Sequence, residues 1–314
     1  MSRIHEALKK AEQERTSSRA TEVIAPPQTD STDAPERKAS LPVAAAQPLV
    51  ERAPGDGQSV EYLRFDELRA HCVHAEWYPD PNLNVFSNPN LSSHGAEQFR
   101  TLRSRLYQLR SSQPLRTLLV ASSVPGEGKT FVVANLAQAV VRQPDRRALI
   151  IDADLRCARV HTVLGAPSAP GLTDYLRGEA DEMAIIQHGQ EGNLCFIPGG
   201  NEVTNPSELL SNGRLKELLD RVAPVFDWVI LDSPPCLPVA DATILADLCD
   251  GVLLVVRAGS TPSSTVQRAC QEMQGRNLVG VVLNAVQESH LYGSYYYQNY
   301  DYGYIRSDAK PAQK

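Results

Sequence analysis

Lys129 and Thr130 close the run Ser123-Val124-Pro125-Gly126-Glu127-Gly128-Lys129-Thr130, and residue types at this spacing suit phosphate chemistry. A lysine ammonium can reach the β- and γ-phosphates of a nucleotide, and the hydroxyl after it can ligate Mg²⁺. Glycines bring the backbone close, so that its N–H groups and the N-terminus of a following helix converge on one anion. The run matches G-x-x-x-x-G-K-[ST] except at its first position, where Ser123 stands for glycine. Two further segments add carboxylates. Ala148-Leu149-Ile150-Ile151 runs into Asp152-Ala153-Asp154-Leu155-Arg156, and Trp228-Val229-Ile230-Leu231 runs into Asp232-Ser233-Pro234-Pro235. Mg²⁺ takes oxygen ligands, usually one or two carboxylates with phosphate and water. Asp232 reads as the carboxylate of such a site, and Asp152 and Asp154 as an acidic pair across the γ-phosphate. A single acidic strand end is also a common helix cap. Three strand ends meeting on one sheet edge favour a binding site instead.

The remaining chemistry-bearing stretch is Tyr292 to Tyr304. Tyr292, Tyr295, Tyr296, Tyr297, Tyr300, Tyr302 and Tyr304 are seven of the chain's 11 tyrosines, packed into 13 residues without an aliphatic side chain. A core strand would alternate and include Val, Ile or Leu. The stretch reads as a multi-site phosphoacceptor, with an aromatic partner surface or a low-complexity tail as the alternatives. Each phosphate would add about −1.5 to −2 charges, so heavily modified tails would repel one another.

These residues need a scaffold that gathers them, and the apolar pattern supplies it. Apolar runs recur at Thr117–Ser122, Arg147–Ile151, Leu194–Ile197, Trp228–Leu231, Gly251–Val256 and Leu278–Leu283. Helix-compatible stretches fall between them at Thr130–Arg142, Pro206–Leu210, Arg214–Ala223, Ala240–Leu248 and Pro262–Gln274. Near-continuous Val/Ile/Leu strands alternating with helices predict an α/β fold: a mostly parallel sheet with helices on both faces. In such sheets ligands bind at the carboxyl ends of the strands. Before this region, Ala96–Leu109 is predicted helical, with Phe99, Leu102, Leu106 and Leu109 at three-to-four spacing. Glu97, Arg100 and Arg103 lie three apart on a neighbouring face, which by itself is an exposed ion-pair ladder.

The expected division is an amphipathic helix over 1–15, a disordered linker over 16–59, an extended arm over 60–95, a nucleotide-binding domain over 96–288 and a flexible tyrosine-rich tail over 289–314. The linker is rich in Pro, Ala, Ser, Thr and charge and lacks the apolar residues to bury a core. The first helix carries Ile4, Leu8 and Ala11 on one face, and it is either a docking element or a solvated tail. With 42% hydrophobic and 22% charged residues the composition is that of a globular protein, and a net charge of −6 gives no reason to expect a nucleic-acid partner. No apolar run approaches the roughly 18 residues of a membrane span, and Met1–Leu8 lacks the apolar core of a signal peptide. A cytoplasmic protein is expected, brought to a membrane by a partner if it works there. The six cysteines, scattered without a C-x-x-C pair, are read as buried free thiols.

Taken together, these motifs resemble the bacterial tyrosine autokinases, in particular the kinase subunits that accompany exopolysaccharide chain-length regulators. The likeness covers about residues 96–304. Pro125-Gly-Glu-Gly-Lys-Thr130 resembles the family's Walker A, Asp152-Ala-Asp-Leu-Arg156 its Walker A′ and Ile230-Leu-Asp-Ser-Pro-Pro235 its Walker B. Asn205-Pro-Ser-Glu-Leu-Leu210 and Gly171-Leu-Thr-Asp174 are similar to recurring family segments. Glu97, Arg100 and Arg103 fit its E-x-x-R-x-x-R subunit-contact motif, and the tyrosine tail its autophosphorylation cluster. Ser2–Leu8 is similar to N-termini of exopolysaccharide-associated members.

The resemblance implies binding of MgATP and transfer of the γ-phosphate to tyrosines of the same or a neighbouring subunit. Pro125, Gly126, Glu127, Gly128, Lys129 and Thr130 would hold the nucleotide, and Asn284 is either an adenine contact or a turn residue. Thr130, Asp154 and Asp232 would serve the metal, and Asp152, ahead of Asp154, would accept the tyrosine proton. Implied partners are an inner-membrane polysaccharide co-polymerase on a separate chain, further copies in a ring and a cognate tyrosine phosphatase. Ala158 departs from the proline usual in the family after the Walker A′ arginine. ParA- and MinD-like ATPase switches share the fold, but their signature loop lysine is Val124 here.

Overall fold

Six of the strands come from runs that sequence alone would make too apolar for a half-solvated sheet, and each is covered on both sides except at one edge. The computed structural model describes residues 64–87, 92–190 and 192–286. The chain divides into Met1–Gln58 and Ser59–Lys314, and all described residues belong to the second unit. The expected N-terminal helix, the linker and the tyrosine cluster Tyr292–Tyr304 lie outside the described residues.

The elements run α1 (Phe65–His71), β1 (Val73–His74), α2 (Ser92–Arg110), β2 (Thr117–Ser122), α3 (Lys129–Val141), β3 (Ala148–Asp152), α4 (Val160–Leu164), α5 (Leu172–Arg177) and α6 (Glu182–Ile185). There follow β4 (Gln187–His188), β5 (Leu194–Ile197), α7 (Pro206–Leu210), α8 (Arg214–Val222), β6 (Trp228–Asp232), α9 (Asp241–Leu248), β7 (Gly251–Arg257), α10 (Ser263–Glu272) and β8 (Leu278–Asn284). They build one eight-stranded sheet in the order β1-β4-β5-β3-β6-β2-β7-β8. Every pairing is parallel except β4 with β5. The mostly parallel α/β fold expected from the apolar runs is therefore the fold observed.

Each face has its own core. On one, Leu119, Leu149, Ile151, Val229 and Leu231 meet α1, α5, α8 and α9 through residues such as Phe65, Tyr175, Leu218 and Leu245. On the other, Leu118, Val120, Ile150 and Ile230 meet α2 and α3 through Phe99, Leu106, Val133 and Leu136. α3 is buried from Val132 to Val140. It can be apolar almost all round because it lies between sheet and α2. α8 is the opposite case: Leu215, Leu218, Leu219 and Val222 face inward, while Lys216 and Asp220 pair at 2.6 Å outside. At the β8 edge Val281 and Leu283 stay 49% and 64% exposed.

Two expectations about the arm change. Residues 65–71 are helical rather than extended, with Phe65 and Leu68 in the core and Asp66 and Glu67 in the first turn. α2 begins at Ser92, so the end of the expected arm belongs to that helix. The thiols also divide. Cys72, Cys195 and Cys236 are buried as expected, Cys249 and Cys270 are half-buried, and Cys157 is exposed.

Candidate nucleotide and phosphotransfer site

β3, β6 and β2 are adjacent in the sheet, and their parallel register brings three loops to one edge. Asp152 pairs directly with Asp232, and Asp232 with Val120, two residues before the end of β2. The candidate residues Lys129, Thr130, Asp152, Asp154 and Asp232, far apart in the chain, therefore share this edge. The Ala153 N–H donates to the Asp232 carbonyl at 2.9 Å, which carries the pairing of β3 with β6 into the loop.

The loop after β2 is shaped by backbone conformations that favour glycine. Gly126 and Gly128 have φ of 82° and 96°. Gly128 caps α3 without any side-chain hydrogen bond, so the first N–H groups of the helix remain available to an anion. A β-carbon on Gly128 would come within 2.0 Å of Asn284 Nδ2. That amide donates to the Glu127 carbonyl at 2.9 Å, which places Asn284 over the phosphate loop.

Glu127 does more than its expected role as one backbone unit of the cradle. Its carboxylate is buried and accepts from the Val124 N–H at 2.9 Å, the Thr261 hydroxyl at 2.6 Å and the Arg257 N–H at 3.3 Å. The side chain thus pins the loop to itself and to the turn after β7. Replacing Glu127 by Ala strips these donors of their acceptor. We expect a stability loss of about 1–3 kcal/mol in urea unfolding, with weaker nucleotide binding. A loss below about 0.5 kcal/mol would show that the loop holds its shape without the carboxylate.

Thr130 Oγ1 donates to Asp232 Oδ2 at 2.6 Å. Among the described residues, no group lies within hydrogen-bond geometry of the buried Asp232 Oδ1. A buried anionic oxygen without a donor is costly, and beside a threonine hydroxyl it is the donor set a hard cation takes. These residues fit Mg²⁺. Burial pushes the Asp232 carboxyl up to about 6, with Lys129 and the Thr130 hydroxyl acting against the shift and Asp154 adding to it. Asp152 is raised well above the usual carboxylate range, first by burial and then by the nearby Asp232 charge. Its two oxygens accept from the Val160 N–H at 3.0 Å and the Asp154 N–H at 3.3 Å. Asp154 is the more accessible of the pair, at 8% exposure against 0%, and its Oδ1 accepts from the Cys157 N–H at 3.1 Å.

The ladder on α2 is only partly a ladder. Glu97 and Arg100 form an exposed ion pair. Arg103 turns away and donates to the Ala139 carbonyl of α3 at 2.6 Å, so it ties α2 to the helix that follows the phosphate loop. The segment Gly171–Asp174 is a cap: the Asp174 carboxylate accepts from the Gly171 N–H at 2.7 Å at the start of α5.

A glycine loop leading from a central strand into a buried helix, with a carboxylate ending the adjacent strand β6 and another ending β3 next to it, defines a P-loop NTPase-type fold. A family model described as an AAA domain matches residues 115–274. The tyrosine-protein kinase YwqD of Bacillus subtilis is 33% identical over 233 residues, covering 74% of this chain and 94% of that protein. The tyrosine-protein kinase etk of Escherichia coli K12 is 35% identical over 207 residues, covering 65% of this chain but 28% of that longer protein. The solved kinase domain of the Escherichia coli tyrosine kinase ETK superposes with a TM-score of 0.62 at 30% identity, over 76% of this chain and 87% of that domain. The chain belongs to the family of bacterial tyrosine-protein kinases.

Proposed function

We propose that this protein is an ATP-dependent tyrosine autokinase that phosphorylates the tyrosine cluster Tyr292–Tyr304 of its own or a neighbouring subunit. The observation that carries the reading is the Thr130–Asp232 pair, with its unpartnered carboxylate oxygen beneath a glycine loop, in a chain related to tyrosine kinases. Lys129 and the N–H groups from Gly126 to Thr130 hold the β- and γ-phosphates. Thr130, Asp232 and Asp154 serve Mg²⁺, which when bound neutralises phosphate charge as the transfer proceeds. Asp152 accepts the tyrosine proton. Its raised proton affinity supports that role, since a free phenol titrates near roughly 10 and an ordinary carboxylate is a poor match for it. Asn284 lies over the loop and contacts the nucleotide base.

The biological setting extends the same reading. No helix among the described residues is long and apolar enough to cross a membrane. On this reading a cytoplasmic kinase is recruited to the inner membrane by a polysaccharide co-polymerase, assembles into a ring through the exposed Glu97–Arg100 pair while Arg103 braces that helix from within, and is reset by a tyrosine phosphatase. Phosphorylation cycles of the ring regulate exopolysaccharide polymerisation or export.

Phosphotransfer is separated from simple hydrolysis by intact mass and phosphate release, measured together after incubation with MgATP and the partner's cytoplasmic segment. A kinase gains several steps of about 80 Da, the mass of HPO₃. ATP hydrolysis at constant mass would make the protein an ATPase switch, and neither signal would make it a scaffold.

A further inference from the structure

Among the motifs singled out in the sequence, Asn205–Leu210 has no part in the phosphate site as described, yet it reaches the acidic loop through one side chain. Arg156, two residues past Asp154, donates through Nε to Asp241 Oδ2 at 2.7 Å and through Nη2 to Asp241 Oδ1 at 3.1 Å. The same Nη2 donates to Ser207 Oγ at 3.2 Å, and Ser207 Oγ donates to Asp241 Oδ1 at 2.5 Å. Asp241 is fully buried at the first position of α9, while Arg156 retains 40% side-chain exposure.

The connectivity gives this cluster its meaning. Asp154 and Arg156 lie on the loop that leaves β3. Asp232 and Asp241 bound the loop that leaves β6. Ser207 stands in the first turn of α7. Three segments distant in sequence are thus cross-braced through Arg156, which follows Asp154 by two residues on the acidic loop. An ion pair with one partner buried and the other still solvated adds little net stability, because the carboxylate loses its water while solvent screens the arginine. What bidentate guanidinium geometry does supply is orientation, since two parallel hydrogen bonds fix the plane and direction of the arginine.

We propose that Asp241, together with Ser207, is a positioning residue: it fixes Arg156 and with it the Asp152–Arg156 loop, so that Asp154 faces the Thr130–Asp232 pair before Mg²⁺ and nucleotide arrive. The inference rests on the phosphotransfer reading of that site, but its test does not depend on phosphotransfer occurring. Groups that orient the ligands of a metal typically change metal affinity or activity by about 10–100-fold when removed.

The test is a Mg²⁺ titration of fluorescent-ADP binding to the full chain, with thermal unfolding recorded alongside. Asp241→Asn keeps the shape but removes the ion pair. It should raise the Mg²⁺ concentration for half-maximal enhancement by about tenfold or more, while ADP affinity without Mg²⁺ stays within about threefold. Ser207→Ala should give a smaller change in the same direction. Arg156→Lys, which keeps the charge without the fork, should behave like Asp241→Asn. An unchanged Mg²⁺ dependence in a folded Asp241→Asn protein would overturn the proposal. So would an equal loss of ADP binding with and without Mg²⁺, since that is the mark of a purely structural defect. If Asp241→Asn does not fold, Arg156→Lys carries the same decision. Absence of tyrosine phosphorylation in the unsubstituted protein would count against the kinase reading alone and leave these titrations valid.

Discussion

Lys129→Met is expected to abolish tyrosine phosphorylation and leave the fold intact. Lys129 opens α3 and is 9% exposed, at the point where the helix N-terminus and the glycine loop converge. Its ammonium is a full positive charge in this largely water-excluded site. Removing one preorganised group that meets developing charge typically costs about 10²–10³-fold in rate, and loss of a full charge on the transferred phosphate belongs at the upper end or beyond. Methionine keeps most of the side-chain volume, so α3 should still pack on β2. Autophosphorylation rates and circular dichroism on the same preparations check both halves. Retention of more than about a tenth of the rate would remove Lys129 from the phosphate site.

Asp232→Asn should separate stability from activity in the opposite direction. The Asp232 carboxyl sits near 6 in the folded protein, raised by burial from an ordinary value of 3.8. A group whose folded pKa is raised leaves stability intact below its unfolded pKa and removes it as pH rises through the folded value. The shift corresponds to about 3 kcal/mol lost from the nucleotide-free protein above pH 6. Asparagine cannot ionise and still accepts from the Thr130 hydroxyl. The nucleotide-free Asp232→Asn protein should therefore melt roughly 4–10 °C higher near pH 7.5, and the advantage should shrink between about pH 6 and pH 4. Phosphotransfer should fall by about 10²-fold or more, because an amide is a weak Mg²⁺ ligand. A lower melting temperature at pH 7.5 would show that the buried carboxylate is held by favourable partners rather than strained toward a cation.

Much of this site is legible along the chain because its parts are strand ends and a contiguous loop. Asp152 and Asp232 each follow four apolar residues, and parallel strands put such ends on one edge whatever the loop lengths. The loop Ser123–Thr130 carries its own glycines and its own lysine. The residues that hold the site in place were not legible. Arg156 and Asp241 are 85 positions apart, and Glu127 meets Thr261 across 134. Asp241 in sequence is simply an acid at the start of a helix, where its charge suits the helix dipole without any partner. Arg103 shows the converse: its i, i+3 spacing from Arg100 fits a surface ladder, but the Ala139 carbonyl claims it. Strands β1 and β4 have two residues each, too few to show any period, and they exist only because each borders another strand. Helix α1 was masked by an arm rich in Pro and Asn, although Phe65 and Leu68 at i, i+3 were a usable signal.

The claim that the phosphate site serves a tyrosine acceptor on the same polypeptide is tested most directly by removing that acceptor. Full-length protein and a chain ending at residue 291 should be incubated with MgATP and the activating partner segment, then compared by intact mass and by tyrosine-phosphopeptide mapping. Expected are several additions of about 80 Da on the full chain, all within Tyr292–Tyr304, and none on the shortened chain, which still binds ATP. Equal phosphate uptake by the shortened chain, or modification mapped elsewhere, would contradict it.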